Sequence, residues 1–327
     1  MSRIAVLVPC YNEAKTIAAV VRDFQVALPG AHIYVYDNNS SDDTMTNARD
    51  AGATVRSVRY QGKGNVMRRM FADIDADIYV LVDGDATYDT ASAPKLIDKL
   101  LTEQLDMVVG TRFTQFHTDA FRAGHQFGNW LLTQCVSVIF GRSFTDMLSG
   151  YRVFSRRFVK SFPALAKGFE TETELTVHAL ELRLPIAEVA TPYGARPEGS
   201  VSKLHTYRDG WRILRMILRL FREERPLAFF SLVFGVLAAT AIALASPIVV
   251  TYLETGLVPR LPTAILATGI MLLAFLSLAS GFILDTVTQG RRELKRLFYL
   301  SVPAVSGAHA QAESSAPADA ARRIVNG

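Results

Sequence analysis

Two long segments without a charged residue limit what this chain can fold into. Residues 227–253 contain no Asp, Glu, Lys or Arg, and neither do residues 261–284. Each segment is long enough to cross the roughly 30 Å hydrocarbon core of a bilayer as a helix, which takes about 20 residues. The link between them is short, so the pattern predicts a transmembrane helical hairpin over 226–290 with both ends on one side. The alternative, two buried helices of a soluble core, is disfavoured because neither segment has a polar face.

Basic residues lie on both outer sides of this predicted hairpin. They are Arg219, Arg222 and Arg225 before it, then Arg291, Arg292, Lys295 and Arg296 after it. Because positive charge concentrates on the cytoplasmic side of membrane helices, both ends are expected to face the cytoplasm. The sequence therefore predicts a multi-pass protein of the cell inner (plasma) membrane with its N-terminal domain in the cytoplasm.

The segments next to the hairpin differ from each other. In residues 203–225 arginines recur every three or four positions with large apolar residues between them, which predicts a basic amphipathic helix on an anionic membrane surface, or alternatively a solvated helix. Residues 291–327 are predicted to form a basic stretch and then a disordered tail, because the chain ends in small, polar and alanine-rich sequence. The amphipathic helix and the hairpin could also pack copies of the chain into a homo-oligomer.

Strands and helices alternate from residue 3 to about 110, within a predicted cytosolic domain at 1–202. The stretches IAVLVP, HIYVYD, IYVLVD and DMVVGT predict strands, and helical periodicity separates them, with Asn12 expected to cap the first helix. This alternation predicts an α/β domain with a mostly parallel sheet and helices on both faces. Ligands of such sheets bind beyond the carboxyl ends of the strands, so the polar loops at 9–13, 37–43 and 83–85 are expected to form one site.

Composition narrows the partners and the compartment. The 327 residues include 35 Lys and Arg against 31 Asp and Glu, a net charge of +4 that is too even to indicate a nucleic-acid partner. Cys10 and Cys135 are far apart in apolar segments, which predicts a reducing compartment and neither a disulfide framework nor a metal cluster. The N-terminal residues lack the apolar core of a signal peptide, which also favours a cytosolic domain.

The stretch YVLVDGDATYD places two carboxylates at the end of a predicted buried strand. Asp83 and Asp85 are separated by a single glycine. Carboxylates so placed repel each other and lose hydration, so the pattern indicates either a plain turn or a bound cation. Mg²⁺ or Mn²⁺ fits, because these ions prefer carboxylate oxygens and complete their shell with substrate phosphates. Beside a membrane, such an ion would neutralise the diphosphate of a nucleotide sugar during transfer to a lipid.

Six motifs occur in an order that is typical of one family. They are VPCYNEAKTI, YDNNSSDDT, VDGDA, GTRF, DMLSGYRVFSR and RPEGSVSKL. Together they resemble family 2 glycosyltransferases of the dolichol-phosphate-mannose synthase-like group over residues 3–225, and the hairpin is similar to that of bacterial members that charge undecaprenyl phosphate. The resemblance implies a GT-A-like, nucleotide-sugar-binding domain. It also implies inverting, metal-dependent transfer of a single sugar to a polyprenyl phosphate, from a UDP-sugar in preference to a GDP-sugar.

The resemblance assigns the donor side to the first strand ends. Asp37 would contact the base or ribose, and capping of a helix or turn is the alternative. The nucleotide pocket would be lined by Pro9, Tyr11 and Glu13. For Pro9 and Tyr11 the alternative is ordinary packing at the end of a strand. Asp83 would bind the diphosphate, Asp83 and Asp85 would hold the metal, and Asp85 would be catalytic.

Two positions near these carboxylates are left open by the sequence. Thr87 stands where the family often has a glutamine, so its part in the metal shell is undecided. Lys63, in GKGN, lacks the spacing of a P-loop, and it would either approach a phosphate of the nucleotide or be a solvated lysine.

The acceptor side is assigned to basic residues. Arg112, in GTRF, resembles the arginine that grips the acceptor phosphate and is also predicted to be catalytic, since an arginine fork donates two hydrogen bonds to a phosphate. Arg122 would bind the acceptor as well. For Arg112 and Arg122 the alternative is plain surface charge. His125 lies nearby in the sequence, and a structural role is the alternative for it. A mobile loop would close over the diphosphate or, alternatively, contact lipid headgroups, and it would contribute catalytic Arg196 and Lys203 and acceptor-binding Ser202.

Two further motifs would shape the sugar and acceptor side. The first is DMLSGYR, which contributes Asp146, Gly150 and Arg152. The alternative for this motif is a buried structural pair between its Asp and its Arg. The second is FETETEL, which contains Glu170, Glu172 and Glu174. One of these glutamates would bind sugar hydroxyls. The alternative is that the segment is the solvated start of a helix or strand.

Rival classes of protein lack their signatures. A processive polysaccharide synthase would carry Q-x-x-R-W, and the nearest string, QFGNW, has Asn129 in place of the arginine. An NAD-dependent oxidoreductase would carry G-x-G-x-x-G after the first strand, where VPCYNE stands. Transfer to another lipid or glycolipid, and a non-catalytic membrane scaffold that binds nucleotide sugar, are the open alternatives.

Overall fold

The structure, a computed structural model of the chain, describes residues 2–113, 134, 136, 144–166, 168, 170–194, 215 and 218–304. The chain divides into two compact units. The first joins Met1–Thr206 with Lys295–Gly327, and the second spans Tyr207–Leu294. Most of the predicted amphipathic helix at 203–225 lies outside the described residues, as does the tail beyond residue 304.

A seven-stranded sheet organises the first unit. In chain order its elements are β1 (Ile4–Cys10), α1 (Ile17–Ala27), β2 (His32–Asp37), α2 (Thr44–Asp50), β3 (Thr54–Ser57), α3 (Lys63–Asp73), β4 (Ile78–Leu81), a 3₁₀ turn (Thr90–Ser92), α4 (Ala93–Thr102), β5 (Met107–Phe113), β6 (Arg152–Ser155), α5 (Arg156–Ser161), α6 (Thr171–Leu182) and β7 (Ile186–Pro192).

The strands lie in the order β3-β2-β1-β4-β6-β5-β7. β2 pairs in parallel with β3 and β1, β1 with β4, and β5 with β7. β6 runs antiparallel to both of its neighbours, β4 and β5. The predicted α/β domain with a mostly parallel sheet is confirmed, whereas the alternation of strands and helices did not predict the reversed strand β6.

Both faces of the central strands are covered, which explains why their sequences are continuous apolar runs. All four residues of β4 are buried. Val80 belongs to the apolar core that β4 shares with α1, α2 and α4, while the ring of Tyr79, on the other face, lies 6.3 Å from that of Phe71 in α3. The central strands β1, β2 and β4 have no charged residue in their interiors, and Asp37 lies at the end of β2.

Two long apolar helices, α7 (Pro226–Thr255) and α8 (Leu261–Leu300), dominate the described part of the second unit. Their most apolar windows have mean hydropathies of 2.4 and 2.1, and only 6% and 17% of those windows are buried. Their length and composition make them candidate membrane spans, as the sequence predicts. They approach closely at Gly281, where a Cβ would lie 2.9 Å from the Cβ of Phe230.

The helix α8 continues past the predicted end of the hairpin at residue 290 and reaches Leu300. Its last turns belong to the first unit. There Lys295 Nζ donates to Glu181 Oε2 (2.5 Å), and the hydroxyl of Tyr299 donates to Asp106 Oδ2 (2.8 Å). The predicted basic stretch that begins at 291 is therefore helical up to Leu300, and the end of the helix from Lys295 onward contacts the sheet domain.

Candidate active site

The loops after β2, β1 and β4, which are three neighbouring strands, are joined by side-chain hydrogen bonds. Asn12 has a φ of +53°, its Oδ1 accepts from the N–H of Ser41 (2.8 Å), and its own N–H donates to Ser40 Oγ (2.8 Å). The hydroxyl of Thr16 donates to the carbonyl oxygen of Gly84 (2.7 Å). Asn12 therefore holds the next loop and does not cap α1. The three predicted polar loops do converge on one place.

Asp37, the last residue of β2, is buried with 1% of its surface exposed. Its Oδ2 accepts from the N–H of Ser40 (3.0 Å), so it does cap a turn. Its Oδ1 is also buried and has no hydrogen-bond partner among the described residues. Leaving such an oxygen unpaired is costly, so it suits a ligand hydroxyl or N–H. Near it, at the end of β1, lie the other predicted nucleotide-binding residues, which are partly exposed: Pro9, Tyr11 and Glu13.

Asp83 and Asp85 follow β4 and differ in exposure. Asp85 is 4% exposed, and its Oδ1 accepts from the hydroxyl (2.6 Å) and the N–H (3.2 Å) of Thr87. Asp83 keeps 31% of its side chain exposed. Thr87, whose role the sequence left open, thus fixes the orientation of the Asp85 carboxylate.

Lys63, at the first position of α3, pairs with two carboxylates. Its ammonium lies 2.5 Å from Asp83 Oδ1 and also contacts Glu172 Oε1. Burial by itself would lower the pKa of Lys63, but the charges of Asp83 and Glu172 outweigh it and raise that pKa above its usual value. The lysine is therefore a buried cation of the site, and the alternative of a solvated lysine is wrong.

The three alternate glutamates at the start of α6 have different surroundings. Glu170 occupies the position before the helix, and Glu174 accepts from the N–H groups of Leu165 and Ala166, both at 2.8 Å. Glu172 is the one that lies beside Lys63, and its second oxygen is buried without a hydrogen-bond partner among the described residues. The expectation that one of them binds sugar hydroxyls stays a prediction.

Arg112, near the end of β5, forms a two-pronged ion pair with Asp146. Its Nε and Nη2 donate to Oδ2 and Oδ1 of Asp146, both at 2.7 Å, and its guanidinium lies 5.7 Å from the ring centroid of Tyr193. Burial alone would raise the pKa of Asp146, but the hydrogen bonds and charge of Arg112 hold it below its usual value. The two side chains are only 17% and 10% exposed, so this pair is largely shielded from water.

The predicted alternative of a buried pair between Asp146 and Arg152 is wrong, because Arg152 has other partners. Arg152 is fully buried and donates to the carbonyl oxygens of Ser149 (3.0 Å) and Met147 (2.6 Å) and to the hydroxyl of Thr176 (2.8 Å). Burial lowers its pKa to about 10. Arg152 thus fixes the backbone that leads into β6.

Gly150, from the same motif, leaves room for Asp83. A Cβ at this position would lie 2.9 Å from Asp83 Cγ and closer still to Oδ2. The N–H of Gly150 donates to the hydroxyl of Tyr88 (2.8 Å), which ties this segment to the loop after β4. The motif was visible in the sequence, but its contact with the carboxylate loop was not.

Several predicted site residues lie outside the described residues, and their roles stay predictions. These are the acceptor-side and loop residues Arg122, His125, Arg196, Ser202 and Lys203.

The chemistry of the donor set fits a hard divalent cation. Among the described residues no group of three or more His, Cys, Asp or Glu side chains is placed to hold a metal. Asp83 and Asp85 alone offer two carboxylates, one of them partly exposed. This fits Mg²⁺ or Mn²⁺, which bind through one or two carboxylates and take further ligands from substrate phosphates and water.

The geometry agrees with comparisons to known proteins. The profile described as Glycosyl transferase family 2 matches residues 5–162. Glycosyltransferase AglJ of Haloferax volcanii is 33% identical over 300 residues, which cover 90% of this chain and 97% of that protein. The chain belongs to glycosyltransferase family 2. A second family relative from the same organism, dolichyl-phosphate hexose transferase, is 28% identical over 222 residues, 68% of this chain and 95% of that protein.

Solved structures show the same fold. The glucosyl-3-phosphoglycerate synthase of Mycobacterium tuberculosis, crystallised with Mn²⁺, UDP-glucose and phosphoglyceric acid, is 27% identical and superposes with a TM-score of 0.55. The match covers 67% of this chain and 79% of that one. The GT-A-like architecture and the family resemblance of the six motifs are thereby confirmed.

Proposed function

We propose that this glycosyltransferase moves a single sugar, with inversion, from a nucleotide sugar to a polyprenyl (undecaprenyl-type) phosphate. The observation that carries the proposal is the meeting of Asp37, Asp83 and Asp85 at neighbouring strand ends, in a family 2 chain with two candidate membrane spans. The Mn²⁺ and UDP-glucose in the mycobacterial enzyme support the metal and the donor. The name of the relative dolichyl-phosphate hexose transferase supports the acceptor.

The donor would lie across the ends of β2, β1 and β4. The unpaired oxygen of Asp37 can accept from a ribose hydroxyl or a base N–H. The residues Pro9, Tyr11 and Glu13 would line the rest of the nucleotide pocket. We expect a UDP-sugar to be preferred over a GDP-sugar.

The diphosphate would lie at the second carboxylate loop. Asp83 and Asp85 would hold Mg²⁺ or Mn²⁺, which when bound neutralises the charge that develops on the leaving diphosphate. Lys63 would contact a phosphate oxygen, and its position beside Asp83 supports this role. Thr87 keeps Asp85 oriented throughout.

The acceptor needs no strong general base, since a lipid phosphate is already anionic at neutral pH. One of its oxygens would bond to the anomeric carbon while the bond from that carbon to the diphosphate oxygen breaks on the opposite face. Arg112, Arg122 and Ser202 would position the acceptor phosphate, and Arg196 and Lys203 would close over the leaving group. Catalysis would thus rest on positioning and on charge stabilisation.

The membrane arrangement is part of the proposal. Residues 1–202 would form the catalytic domain at the cytosolic face, 203–225 the interfacial helix and 226–290 the transmembrane hairpin. The protein would then work in the inner (plasma) membrane, where the end of a lipid phosphate is within reach of a cytosolic domain.

A product analysis tests the proposal. The full chain, purified in detergent with Mg²⁺ or Mn²⁺, is offered a panel of UDP- and GDP-sugars with either a short-chain polyprenyl phosphate or phosphoglyceric acid. We expect one donor to give a lipid heavier by one sugar, together with release of the nucleoside diphosphate. Transfer to phosphoglyceric acid, or to a glycolipid added in a third arm, would contradict the acceptor. Donor binding without transfer to any acceptor would favour the non-catalytic scaffold.

A further inference from the structure

One lysine serves two carboxylates that differ in their access to water. The ammonium of Lys63 contacts both Asp83 and Glu172. Glu172 is 5% exposed, so loss of Lys63 would leave it as a buried anion without its cationic partner, which is costly. Asp83 is 31% exposed and can exchange partners. The two ion pairs are therefore unequal: one is permanent and the other is replaceable.

The backbone around Lys63 holds the ammonium in this place. Gly62 has a φ of +128°, a value that L side chains rarely adopt, and its N–H donates to Asn38 Oδ1 (2.6 Å). A Cβ at Gly64 would lie 2.7 Å from the carbonyl carbon of Ala166, so only glycine permits the approach of these two backbones. The start of α3 is thus fixed from both sides, and Lys63 stays beside Asp83.

A divalent cation that binds Asp83 and Asp85 must therefore compete with Lys63 for Asp83. A nucleotide diphosphate changes this competition, because it gives the ammonium another anionic partner and gives the cation additional oxygen ligands. We propose that Lys63 makes binding of the divalent cation conditional on the nucleotide, so that each ligand strengthens the binding of the other. The inference rests on the proposed function for the identity of the donor and the metal.

The competing explanation is that Lys63 only neutralises Glu172. Under that explanation the lysine stabilises the fold, and its removal together with Glu172 leaves the coupling between metal and nucleotide unchanged. Coupling between two ligands is reciprocal and is measured as the ratio of the affinities for one ligand with and without the other. That ratio therefore separates the two explanations.

The variant Lys63→Met/Glu172→Gln tests the inference. It removes one positive and one negative charge, so the net charge around Asp83 is unchanged and Glu172 is not left as a buried, unpaired anion. The matched control is Lys160→Met, which removes a partly buried lysine whose Nζ donates to the carbonyl oxygens of Phe71 (2.9 Å) and Ile74 (3.2 Å). Free Mn²⁺ is followed by electron paramagnetic resonance in titrations of the full chain, with and without UDP and without any acceptor lipid, and the Mn²⁺ bound by UDP alone is measured without protein and subtracted.

We expect UDP to strengthen Mn²⁺ binding to the wild type by about tenfold or more, within the usual range of coupling between sites. In the double variant, Mn²⁺ alone should bind about fivefold more tightly than to the wild type, and the strengthening by UDP should be about fivefold smaller than in the wild type, because only direct ligation by the diphosphate oxygens remains. The Lys160→Met protein should match the wild type. Unchanged affinity and coupling in the double variant would overturn the inference.

The wild type alone provides a second test, which does not depend on the variant folding. Equal Mn²⁺ affinity with and without saturating UDP overturns the inference directly. These outcomes are independent of the acceptor. A protein that makes the glycosylated lipid but shows no coupling keeps the proposed function and loses the inference. A protein whose coupling depends on Lys63 but which makes no lipid product does the reverse.

Discussion

The ion pairs at two strand ends of this glycosyltransferase are built differently. Beside β4, Lys63 is shared between Asp83 and Glu172, and Asp85 lies two residues further on. Beside β5, Arg112 and Asp146 face each other with two hydrogen bonds of 2.7 Å. The first cluster has more carboxylates than cations, whereas the second pair is balanced.

This difference in charge balance indicates a difference in role. A surplus of carboxylate favours a bound cation, through which an anionic diphosphate can then bind, and it does little for the stability of the empty protein. A balanced, buried and bidentate pair mainly holds its two segments together, because loss of either partner would leave a buried charge. If Arg112 binds the acceptor phosphate as predicted, its guanidinium would bind that phosphate while it is hydrogen-bonded to Asp146.

Removal of Asp85 should have the largest effect on activity. We expect Asp85→Ala to lower turnover by about 10³-fold, because a lost carboxylate ligand removes several kcal/mol of charge stabilisation from the leaving diphosphate. The thermal unfolding temperature should change little. The control is Asp98→Ala, at an exposed position on α4, which should keep full activity. Activity of Asp85→Ala within tenfold of the wild type would remove this residue from the mechanism.

Removal of Asp146 should instead destabilise the protein. We expect Asp146→Ala to lower the free energy of unfolding by about 3 kcal/mol, since it leaves the guanidinium of Arg112 buried without this partner. The double variant Arg112→Met/Asp146→Leu should regain most of that loss. Denaturant titration of the three proteins checks this. If the double variant is as unstable as the single one, the pair is not the reason for the effect.

Loss of the Thr87 hydroxyl should have a smaller effect on the first cluster. Thr87→Val removes the 2.6 Å hydrogen bond to Asp85, and such a bond to a charged group contributes about 1.5–3 kcal/mol. We expect the Mn²⁺ concentration for half-maximal activity to rise about tenfold with little change in stability. Thr102→Val, which removes an exposed hydroxyl from α4, serves as the control. An unchanged metal requirement would show that Thr87 does not orient Asp85 for the cation.

The smallest effect concerns pH. The pKa of Asp146 is lower in the folded protein than its usual value of about 3.9, so the pair contributes fully to stability above that pH. Below it, the contribution is lost as the pH falls through the folded pKa. The stability difference between the wild type and Arg112→Met/Asp146→Leu should therefore shrink below about pH 4, by up to about 1.4 kcal/mol per pH unit. A difference that is constant from pH 6 to pH 3 would contradict the ion-pair assignment.

Much of the fold was predictable because its signals are local. The alternation of strands and helices up to β5 and the two charge-free segments follow from periodicity and hydropathy within short windows. The antiparallel strand β6 was not predictable in the same way. Its residues, RVFS, are as short and buried as those of a parallel strand, and its direction depends on pairing with β4 and β5.

The end of α8 shows the same limit. Its charge-free segment ends at residue 284 and basic residues concentrate at 291–296, so the sequence indicated the end of the hairpin at 290. In the structure the helix continues, because Lys295 and Tyr299 find partners in Glu181 and Asp106 of the sheet domain. A helix whose polar side chains are paired need not end where its apolar segment ends.

The sequence by itself determined the family, the α/β sheet, the candidate membrane helices and the strand ends at which Asp37, Asp83 and Asp85 lie. These features depend on the order and spacing of residues along the chain. Only the tertiary structure decided the partners of the charges. Lys63 pairs with Asp83 and Glu172, and Asp146 pairs with Arg112 instead of Arg152. Such pairs need atoms within about 3 Å of each other. Which charges come that close depends on strand order and on the packing of glycines such as Gly150, and neither is encoded within a local window.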